Sequence, residues 1–393
     1  MIPFSLIALL LTAASSPSGL PCDEGALQLR ADFAGARAAD CRRTDSGFAV
    51  TISPESVPVN KSAWYAFDIV SEAVRPVTVE MSYSYGWHRY RPKIRTRDGG
   101  WQVLAEEAVE THPQGKRAVL TFKASEGRTR IAAQPRYDAD ERMAWVEELA
   151  SGTSLTLSIA GQSVEGRPIQ RLSSVPEGGT GPLVLLLGSQ HPPEVPGWVA
   201  MQAFLERLTE EDALARMFRE KVRVETFPVL NPDGLDKGYW RLNAALVDTN
   251  RDWGAFTQPE TRLVRDAVKA RVVAGDTPVL MVDFHATRKG DILYTPDETV
   301  DLTPAGYPEA WAAAIEARLQ EASFESVPAH NPDLPTSKGW FAETYGAPGI
   351  TLEIGDRTDP ARSRRLGRAA AEAMMETLLE HTESRLDLLQ EDE

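Results

Sequence analysis

The stretch of sequence that decides the fold is PLVLLLGSQHPPE, residues 182–194. Its first part, up to Leu187, is a short apolar run ending at a glycine, which is typical of a strand buried on both faces. Its second part places His191 and Glu194 three residues apart, directly after that strand. Open α/β sheets place their sites at the carboxyl ends of strands. The stretch therefore predicts a buried sheet with a functional site at its edge.

The sequence around this stretch alternates between strand-like apolar runs and segments with apolar residues at helical spacing. Residues 138–149 begin with acidic side chains, as the first turn of a helix prefers. A last helix is predicted over 361–389, where apolar residues share one face. The order predicts an α/β fold with a largely buried, mixed sheet. The other predicted segments are 182–187, 199–208, 222–230, 261–270, 278–284, 310–319 and 349–354.

Residues 47–134 follow a different pattern. The runs 64–70, 77–81 and 118–122 alternate with period two, contain β-branched and aromatic residues, and are separated by Pro, Gly and Asp. This pattern is typical of an antiparallel sheet or a small β-sandwich. The change near residue 135 predicts a β-sandwich domain over 22–134 and an α/β domain over 135–393.

The N-terminus has a short apolar run followed by small residues, which predicts a signal peptide over 1–18. The run is too short to span a bilayer, and no later stretch approaches about 20 apolar residues. Export to the periplasm or outside the cell is therefore expected. A lipid-anchored form through Cys22 is the alternative, although Pro21 fits a lipoprotein processing site poorly. In an oxidising compartment Cys22 and Cys41 could form a disulfide worth about 3 kcal/mol, with two unrelated thiols as the alternative.

The overall charge argues against one class of partner. The chain has 393 residues, of which 42% are hydrophobic and 25% charged, as in an ordinary globular protein. Its formal net charge of -15 would repel a phosphate backbone, and no block of Lys or Arg offsets that charge locally. Nucleic acid is therefore not expected to be a partner.

A third candidate metal ligand follows a second apolar run, 279–284, which leads into His285. Zinc binds imidazole and carboxylate groups, and a catalytic zinc site uses three protein ligands and leaves one position for water. His191, Glu194 and His285 meet that count. By itself the His-x-x-Glu spacing is a weak signal in a chain with six histidines. A surface turn with a solvated carboxylate would look the same.

Six motifs, taken together and in order, make the sequence resemble the zinc carboxypeptidase family, which includes the pancreatic and cytosolic carboxypeptidases. The resemblance covers residues 138–385 and implies a mixed-sheet catalytic domain of that family. The spacing of 91 residues from Glu194 to His285, and the β domain ahead of the catalytic one, are most similar to the cytosolic branch. The motifs are HPPE at 191–194, NPDG at 231–234, WR at 240–241, DTNRDW at 248–253, DFH at 283–285 and TLE at 351–353.

The resemblance implies one zinc ion per chain, with His191, Glu194 and His285 as its ligands. It implies that Glu353 is the general base, which takes a proton from a water molecule activated by the metal and passes it to the leaving amine. Arg241 would stabilise the negative charge that develops on the tetrahedral oxygen. A buried salt-bridge acid and a surface arginine are the alternative interpretations of Glu353 and Arg241.

The same resemblance implies a site for the free end of a substrate. Asn250 and Arg251 would bind the terminal carboxylate, because a planar guanidinium matches a carboxylate with two hydrogen bonds. An ordinary surface network with the flanking aspartates is the alternative. Asp248 would orient His191 by accepting a hydrogen bond from its ring.

Several positions that bear on the substrate depart from the family pattern or lack a firm counterpart. Pro193 stands where digestive members carry an arginine beside the site. Their mobile tyrosine has no clear match: Asn331 falls near its position, and Tyr345 lies closer to Glu353. Lys338 lies 15 residues before Glu353, where the family places the floor of its specificity pocket. Its ammonium would favour an acidic C-terminal residue, and a solvated loop lysine is the equal alternative.

Two further groups of residues are interpreted as structural. The aromatic and basic cluster at 83–90 is expected to pack the sandwich or its contact with the catalytic domain, with a carbohydrate-binding surface as the alternative. The histidines without matching partners, expected in structural or surface positions, are His88, His112, His330 and His381.

Together these implications predict a secreted zinc metallocarboxypeptidase that hydrolyses the C-terminal peptide bond of peptides or proteins. Its expected partner is a peptide or protein C-terminus. Because related zinc sites cleave other amides, an N-acyl-amino-acid deacylase or a cell-wall peptide amidase is the alternative enzyme. A binding module that retains the fold is the non-enzyme alternative. It predicts loss of a metal ligand or of Glu353, and the sequence keeps all four residues.

Overall fold

A computed structural model describes residues 20–97, 99–135, 138–175, 179–297, 300–319 and 325–391. The predicted signal peptide, 1–18, lies outside these residues. No helix within the described ranges has both the length and the apolar character needed to cross a membrane.

The N-terminal part of the chain forms ten strands in two sheets that pack face to face. The strands are β1 (Leu27–Arg30), β2 (Asp40–Thr44), β3 (Gly47–Ile52), β4 (Ala66–Ser71), β5 (Arg75–Tyr83), β6 (Lys93–Thr96), β7 (Gln102–Val103), β8 (Val109–Thr111), β9 (Arg117–Ala124) and β10 (Gly127–Ala132). One sheet has the order β1-β4-β10-β6-β7 and the other β2-β3-β5-β9-β8. Two 3-10 helices, Glu106–Ala108 and Pro113–Gly115, flank β8.

The predicted β-sandwich is confirmed, with one departure from antiparallel pairing. Among the described strands of these two sheets, β3 and β5 form the single parallel pair. The chain leaves β3, crosses to the other sheet as β4 and returns as β5, which is the crossover that parallel neighbours require. Buried and exposed residues alternate along β9, so one face of that strand supplies the sandwich core. A disulfide between Cys22 and Cys41 ties the segment before β1 to β2.

The second part of the chain is an α/β layer structure around an eight-stranded sheet. Its strands are β11 (Thr156–Gln162), β12 (Pro168–Ser173), β13 (Pro182–Gly188), β14 (Arg223–Phe227), β15 (Thr277–Thr287), β16 (Ile292–Tyr294), β17 (Glu325–Val327) and β18 (Gly349–Gly355). Its helices are α1 (Ala139–Ser151), α2 (Val195–Leu208), α3 (Ala213–Lys221), α4 (Pro232–Asp236), α5 (Pro259–Val273), α6 (Tyr307–Leu319), α7 (Ser337–Tyr345) and α8 (Pro360–Glu391).

The predicted mixed sheet is confirmed. Its order is β11-β12-β14-β13-β15-β18-β16-β17. The four central strands, β14, β13, β15 and β18, run parallel to one another, whereas β12 and β16 join them in antiparallel pairs. The carboxyl ends of the parallel strands therefore meet at one edge of the sheet.

The apolar run of β13 shows why the centre of the sheet has no polar face. Leu183, Leu185 and Leu187 pack into one hydrophobic layer, with residues of α5 and α7. Val184 and Leu186 point to the opposite layer, with residues of α2, α6 and α8. Because successive side chains of a strand alternate between faces, helices on both sides require apolar residues at every position.

The two parts of the molecule share a hydrophobic core. Val195, Val199 and Trp240 belong to the α/β part but pack among the buried residues of the sandwich. Trp240 is fully buried, and its indole N–H donates to the carbonyl oxygen of Trp64. The strands of the two sandwich sheets come before residue 135 in the sequence, and those of the eight-stranded sheet come after it. The division into domains 22–134 and 135–393 stays a prediction.

Candidate active site

The three predicted metal ligands come together at the carboxyl edge of the central strands. His191 lies in the loop after β13, Glu194 directly precedes α2, and His285 lies near the end of β15. None of the three is more than 8% exposed. A Cβ at Gly197 would lie 2.4 Å from the carbonyl oxygen of His285. Only glycine therefore lets the first turn of α2 approach β15 closely enough for Glu194 to reach His285.

The ligand atoms have the spacing that a small cation needs. The Nδ1 atoms of His191 and His285 lie 3.1 Å apart, and they lie 3.0 and 2.7 Å from the two carboxylate oxygens of Glu194. In a tetrahedral site with ordinary zinc bonds, neighbouring ligand atoms are about 3.3 Å apart. Two imidazoles and one carboxylate are also a donor set that zinc prefers. The residues therefore fit the zinc ion that the sequence predicts, and their role as its ligands stays a prediction.

Each histidine is held from behind by a carboxylate. The Nε2 atom of His191 lies 3.1 Å from Oδ1 of Asp248, and that of His285 lies 2.9 Å from Oδ2 of Asp283. These contacts leave Nδ1 of each ring for a metal and fix the orientation of the ring. The geometry agrees with the role predicted for Asp248. Sequence reasoning missed Asp283, although it lies two residues before His285 on one strand and so shares its face.

Charges within this cluster shift the pKa values of its members. Burial by itself would raise the pKa of Glu194, but the two histidine rings outweigh burial and lower it well below its usual value. Burial would also raise the pKa of Asp248, and the charges of Arg241 and His191 lower it instead. Burial by itself would lower the pKa of His285, but the carboxylates of Asp283 and Glu194 outweigh burial and raise it well above its usual value. A metal at these ligands must therefore displace a proton from an imidazole.

Glu353 lies on β18, beside the strand that carries a ligand. In the parallel pairing of β15 and β18 it stands opposite His285. Its Oε2 atom is buried and has no hydrogen-bond partner among the described residues. Burial, and after it the charge of Glu194, raises the pKa of Glu353 to about 8. A divalent cation would counter the charge of Glu194 and favour ionised Glu353, so this carboxylate fits a base that faces a metal.

Arg241 lies in the loop that follows α4 and lines the same cavity as Glu353. Its side chain is 12% exposed, which does not fit the surface-arginine alternative. Its Nε donates to Oδ2 of Asp248, so one carboxylate contacts both Arg241 and His191. Arg241 is therefore connected to His191, a predicted metal ligand, through the carboxylate of Asp248.

Asn250 and Arg251 lie on a short 3-10 helix, residues 249–251. The backbone N–H of Ser337 donates to Oδ1 of Asn250, which turns Nδ2 of that amide to within 3.3 Å of Nε2 of His285. Arg251 lines the cavity beside Asn250. The structure thus places Asn250 beside His285, and Arg251 in the same cavity as the predicted metal ligands.

Lys338 lies in the first turn of α7, directly after Ser337, and lines the same cavity. It is 5% exposed, so it is a buried helix residue and the solvated loop lysine is wrong. Burial first, and the charge of Arg251 second, lowers the pKa of Lys338 to about 8. At neutral pH its ammonium is still the major form.

The cavity around these residues has about 320 Å³ of space and a charge opposite to that of the chain as a whole. The acidic residues in its described lining are Glu194 and Glu353. The cationic ones are Lys61, Arg89, Arg241, Arg251, Arg288, Lys289 and Lys338. A protein with a formal net charge of -15 therefore contains a positively charged cavity.

Four lining residues come from the β-sandwich, Asn60 and three larger side chains, and sequence reasoning did not assign them to the site. We call Lys61, Trp87 and Arg89 the sandwich wall. Arg89 donates from Nε to Asp356 and from Nη1 to Ser62, both at 2.7 Å. Two of the three belong to the aromatic and basic cluster at 83–90. The contact expected there between the sandwich and the α/β part is present, and the cavity is part of it.

The far side of the cavity is lined partly by residues to which the sequence assigned no role in the site. His330, interpreted as structural or on the surface, lines the cavity and stacks on Tyr294 with ring centroids 3.6 Å apart. Asn331 also lines the cavity, whereas Tyr345 packs against Trp340 and Phe341. Tyr294, on β16, is the tyrosine of the described lining, and no motif in the sequence pointed to it.

Comparison with known families gives one match within the α/β part. Residues 143–333 match the zinc carboxypeptidase family model. An uncharacterized protein of Zymomonas mobilis is 26% identical over 210 residues, which cover 52% of this chain and 53% of that protein. Cytosolic carboxypeptidase 6 of Mus musculus is 32% identical over 98 residues, 24% of this chain and 18% of the mouse protein. The chain thus spans about half, or much less, of the length of these curated relatives.

Two solved structures resemble nearly the whole chain. A metallo-carboxypeptidase from Burkholderia cenocepacia has a TM-score of 0.76 at 19% identity and covers 92% of this chain and 100% of its own. A metallo-carboxypeptidase from Pseudomonas aeruginosa, in complex with (2-guanidinoethylmercapto)succinic acid, has a TM-score of 0.72 at 22% identity. That match covers 90% of this chain and 99% of the Pseudomonas chain. At these identities the likeness is one of fold, and it includes both the sandwich and the α/β part.

Proposed function

We propose that the chain, whose residues 143–333 match the zinc carboxypeptidase family model, is a zinc-dependent enzyme of that family that removes the C-terminal residue of peptides or proteins. One observation supports this function above the others. Two imidazoles and a carboxylate converge within 2.7–3.1 Å of one another, and a buried carboxylate without a hydrogen-bond partner among the described residues stands on the next strand. A metal-assisted hydrolysis needs this combination of ligands and base.

The proposed reaction assigns a step to each of the buried groups. One zinc ion per chain, held by His191, Glu194 and His285, would supply a Lewis acid and lower the pKa of a water molecule. Glu353 accepts a proton from the attacking water at its unpartnered oxygen and then passes it to the leaving amine. Arg241 stabilises the negative oxygen of the tetrahedral state with a fixed positive charge.

The end of the substrate is recognised by the 3-10 helix at 249–251. Arg251 pairs with the terminal carboxylate, and Asn250 donates to it from the adjacent amide. Binding a free carboxylate at a fixed distance from the metal would place the last peptide bond, and no internal bond, at Glu353. This arrangement would make the enzyme an exopeptidase.

The cavity further supports a preference for an acidic C-terminal residue. Lys338 is buried beside Arg251, and a buried ammonium gains more from a carboxylate partner than an exposed one does. The other Lys and Arg side chains that line the cavity also favour an anionic substrate. A C-terminal glutamate or aspartate would neutralise Lys338, whereas an apolar residue would leave that charge buried and unpaired.

We also propose that the protein works outside the cytoplasm as two domains, 22–134 and 135–393. The disulfide between Cys22 and Cys41 supports an oxidising compartment, where such bonds persist. The separate sheets on either side of residue 135 support the division.

The central test compares the wild type with Glu353→Gln. We expect one zinc per chain in both proteins, and a loss of kcat/KM of about 10³-fold on peptides in the variant, because only the base is removed. Zinc is measured by metal analysis, and hydrolysis with a series of peptides, acyl-amino acids and cell-wall fragments. Glu343→Gln, at an exposed position on α7, is the matched control and should keep full activity.

Two results would count against the proposal. Unchanged hydrolysis by Glu353→Gln would show that Glu353 is not the general base. A wild type that cleaves acyl-amino acids or cell-wall fragments but not peptides would favour the deacylase or amidase alternative.

A further inference from the structure

A glutamate of the β-sandwich contacts the backbone on both sides of Arg241. Glu55 lies in the loop between β3 and β4, 186 residues away from Arg241 along the chain. One of its carboxylate oxygens accepts the N–H of Trp240 at 2.7 Å. The other accepts the N–H of Arg241 at 2.8 Å and that of Leu242 at 2.9 Å. Three consecutive backbone donors therefore converge on one side chain.

We infer that Glu55 is a positioning residue for Arg241, by which the β-sandwich orients the cation that stabilises the tetrahedral oxygen. This inference rests on the proposed function, since it assigns a purpose to Glu55 only if Arg241 acts in hydrolysis. Backbone N–H groups donating to a carboxylate form strong, charge-assisted hydrogen bonds. Fixing three successive peptide groups fixes the direction in which the side chain of Arg241 leaves the backbone.

The surrounding contacts separate this role from general attachment of the loop. Trp240 is already anchored in the sandwich core, where its indole N–H donates to Trp64. Glu55 itself is only partly buried, so it contributes little to that core. What it adds is alignment at Arg241, which donates in turn to Asp248.

These contacts form a continuous path from the sandwich to the metal ligands. Glu55 holds the backbone of Arg241, the side chain of Arg241 donates to Asp248, and Asp248 contacts His191. Small displacements of a catalytic cation have large effects, because its stabilising energy depends on distance to the charge that develops. The effect of losing Glu55 should therefore appear in the chemical step and not in substrate affinity.

The test uses Glu55→Ala and Glu55→Gln in the full chain. We expect Glu55→Ala to lower kcat by about 10- to 100-fold with KM changed less than about threefold, at unchanged zinc content. Glu55→Gln keeps one oxygen in place and should recover part of that loss. Binding of a phosphonate peptide analogue, which carries a negative tetrahedral group, should weaken by a similar factor in calorimetry, whereas binding of the free product amino acid should not change. Glu72→Ala, an exposed glutamate of the sandwich, is the control and should behave as wild type.

A double-mutant cycle decides between positioning and a general structural effect. In an Arg241→Ala background, Glu55→Ala should lower kcat by less than about twofold, because the group that it positions is absent. An equal loss in both backgrounds, or an unchanged kcat in both Glu55 variants, would overturn the inference. If Glu55→Ala does not fold, the same cycle with Glu55→Gln gives the answer. A wild type without peptidase activity would instead overturn the proposed function, and this inference with it.

Discussion

The predicted metal ligands and the sandwich wall line one cavity but are built in different ways. Among the three predicted ligands and the predicted base, neighbouring strands position all but Glu194. His191 follows β13, His285 lies on β15, and Glu353 lies opposite His285 on β18. The sandwich wall reaches the cavity from a separate pair of sheets, through side chains such as Arg89 that bond to the α/β part. The positions of the predicted ligands and base thus follow from strand register, whereas the position of the sandwich wall follows from packing between distant segments.

This difference teaches where substrate contacts are expected to be precise. Groups on adjacent parallel strands cannot move independently without breaking the sheet, which suits chemistry that requires exact geometry. Lys61 of the sandwich wall is exposed and lies 4.9 Å from the ring of Trp87, so it can only add to the field at the entrance. The α/β side should therefore determine rate and the choice of the terminal residue, whereas the wall should modulate association.

The largest effect within this comparison is expected for Arg251→Ala. Loss of a charge-assisted, two-point contact with the terminal carboxylate should lower kcat/KM by about 10²-fold on peptides with a free C-terminus. Arg251→Lys should recover only part of that activity, because an ammonium lacks the planar fork. The measurement compares free and C-terminally amidated peptides; a free-end preference that survives in Arg251→Ala would contradict the assignment. Arg216→Ala, at an exposed position on α3, is the control.

A smaller effect is expected from the charge of Lys338, and it should depend on pH. Because its pKa is lowered to about 8, its ammonium is present at pH 7 and is lost as the pH rises to 9. A C-terminal glutamate stays ionised over this range. The ratio of kcat/KM for peptides ending in Glu and in Phe should thus be about 10-fold at pH 7 and fall towards one at pH 9.

Lys338→Met provides the matched comparison for this pH dependence. Its Glu-to-Phe ratio should be near one and should not change between pH 7 and pH 9. The use of a ratio cancels the titration of Glu353 and of the ligands, which affects both peptides alike. A wild-type ratio near one at pH 7 would reject the acidic preference.

The smallest effect is expected for Lys61→Ala in the sandwich wall. An exposed charge is screened by solvent and salt, so kcat/KM on acidic peptides should fall only about two- to threefold at low salt. The loss should disappear at high ionic strength, and kcat should stay unchanged. Lys116→Ala, an exposed sandwich lysine outside the cavity lining, is the control. A loss of kcat/KM as large as that expected for Arg251→Ala would show that the sandwich wall contributes as much as the α/β side of the cavity.

Local sequence pattern was sufficient for most of the α/β part. The run before His191 predicts a strand because an apolar segment without alternation fits a sheet covered on both faces, and β13 has this environment. The predicted C-terminal helix is α8, but its apolar residues Leu366, Ala370 and Met374 are buried where the helix packs mainly on α2 and α6, not on the sheet. These features depend on residues close together in the chain, which is why periodicity indicates them.

The residues of the candidate site likewise divide into those that sequence motifs predicted and those whose position depends on packing. Motifs after two strands point to His191, Glu194 and His285, and the resemblance to the family adds Glu353. The structure brings these four residues together. The environment of Lys338 could not be predicted, because burial in α7 depends on how that helix packs on β15 and β18. His330 and Tyr294 belong to no motif and reach the cavity only through the folding of separate segments.

The sequence by itself determined the fold class, because the order of strand-like and helical segments is a local pattern. Its motifs supplied the predicted ligands and the predicted base through their resemblance to the zinc carboxypeptidase family. The tertiary structure alone decided that Glu55, Lys61 and Arg89 of the sandwich lie at or beside that site. Their contacts join segments that are distant in the chain, such as Arg89 with Asp356, and no spacing rule relates residues on separate sheets. The physical reason is that strand register follows from neighbouring residues, whereas the docking of one layer on another depends on the shape and charge of both surfaces.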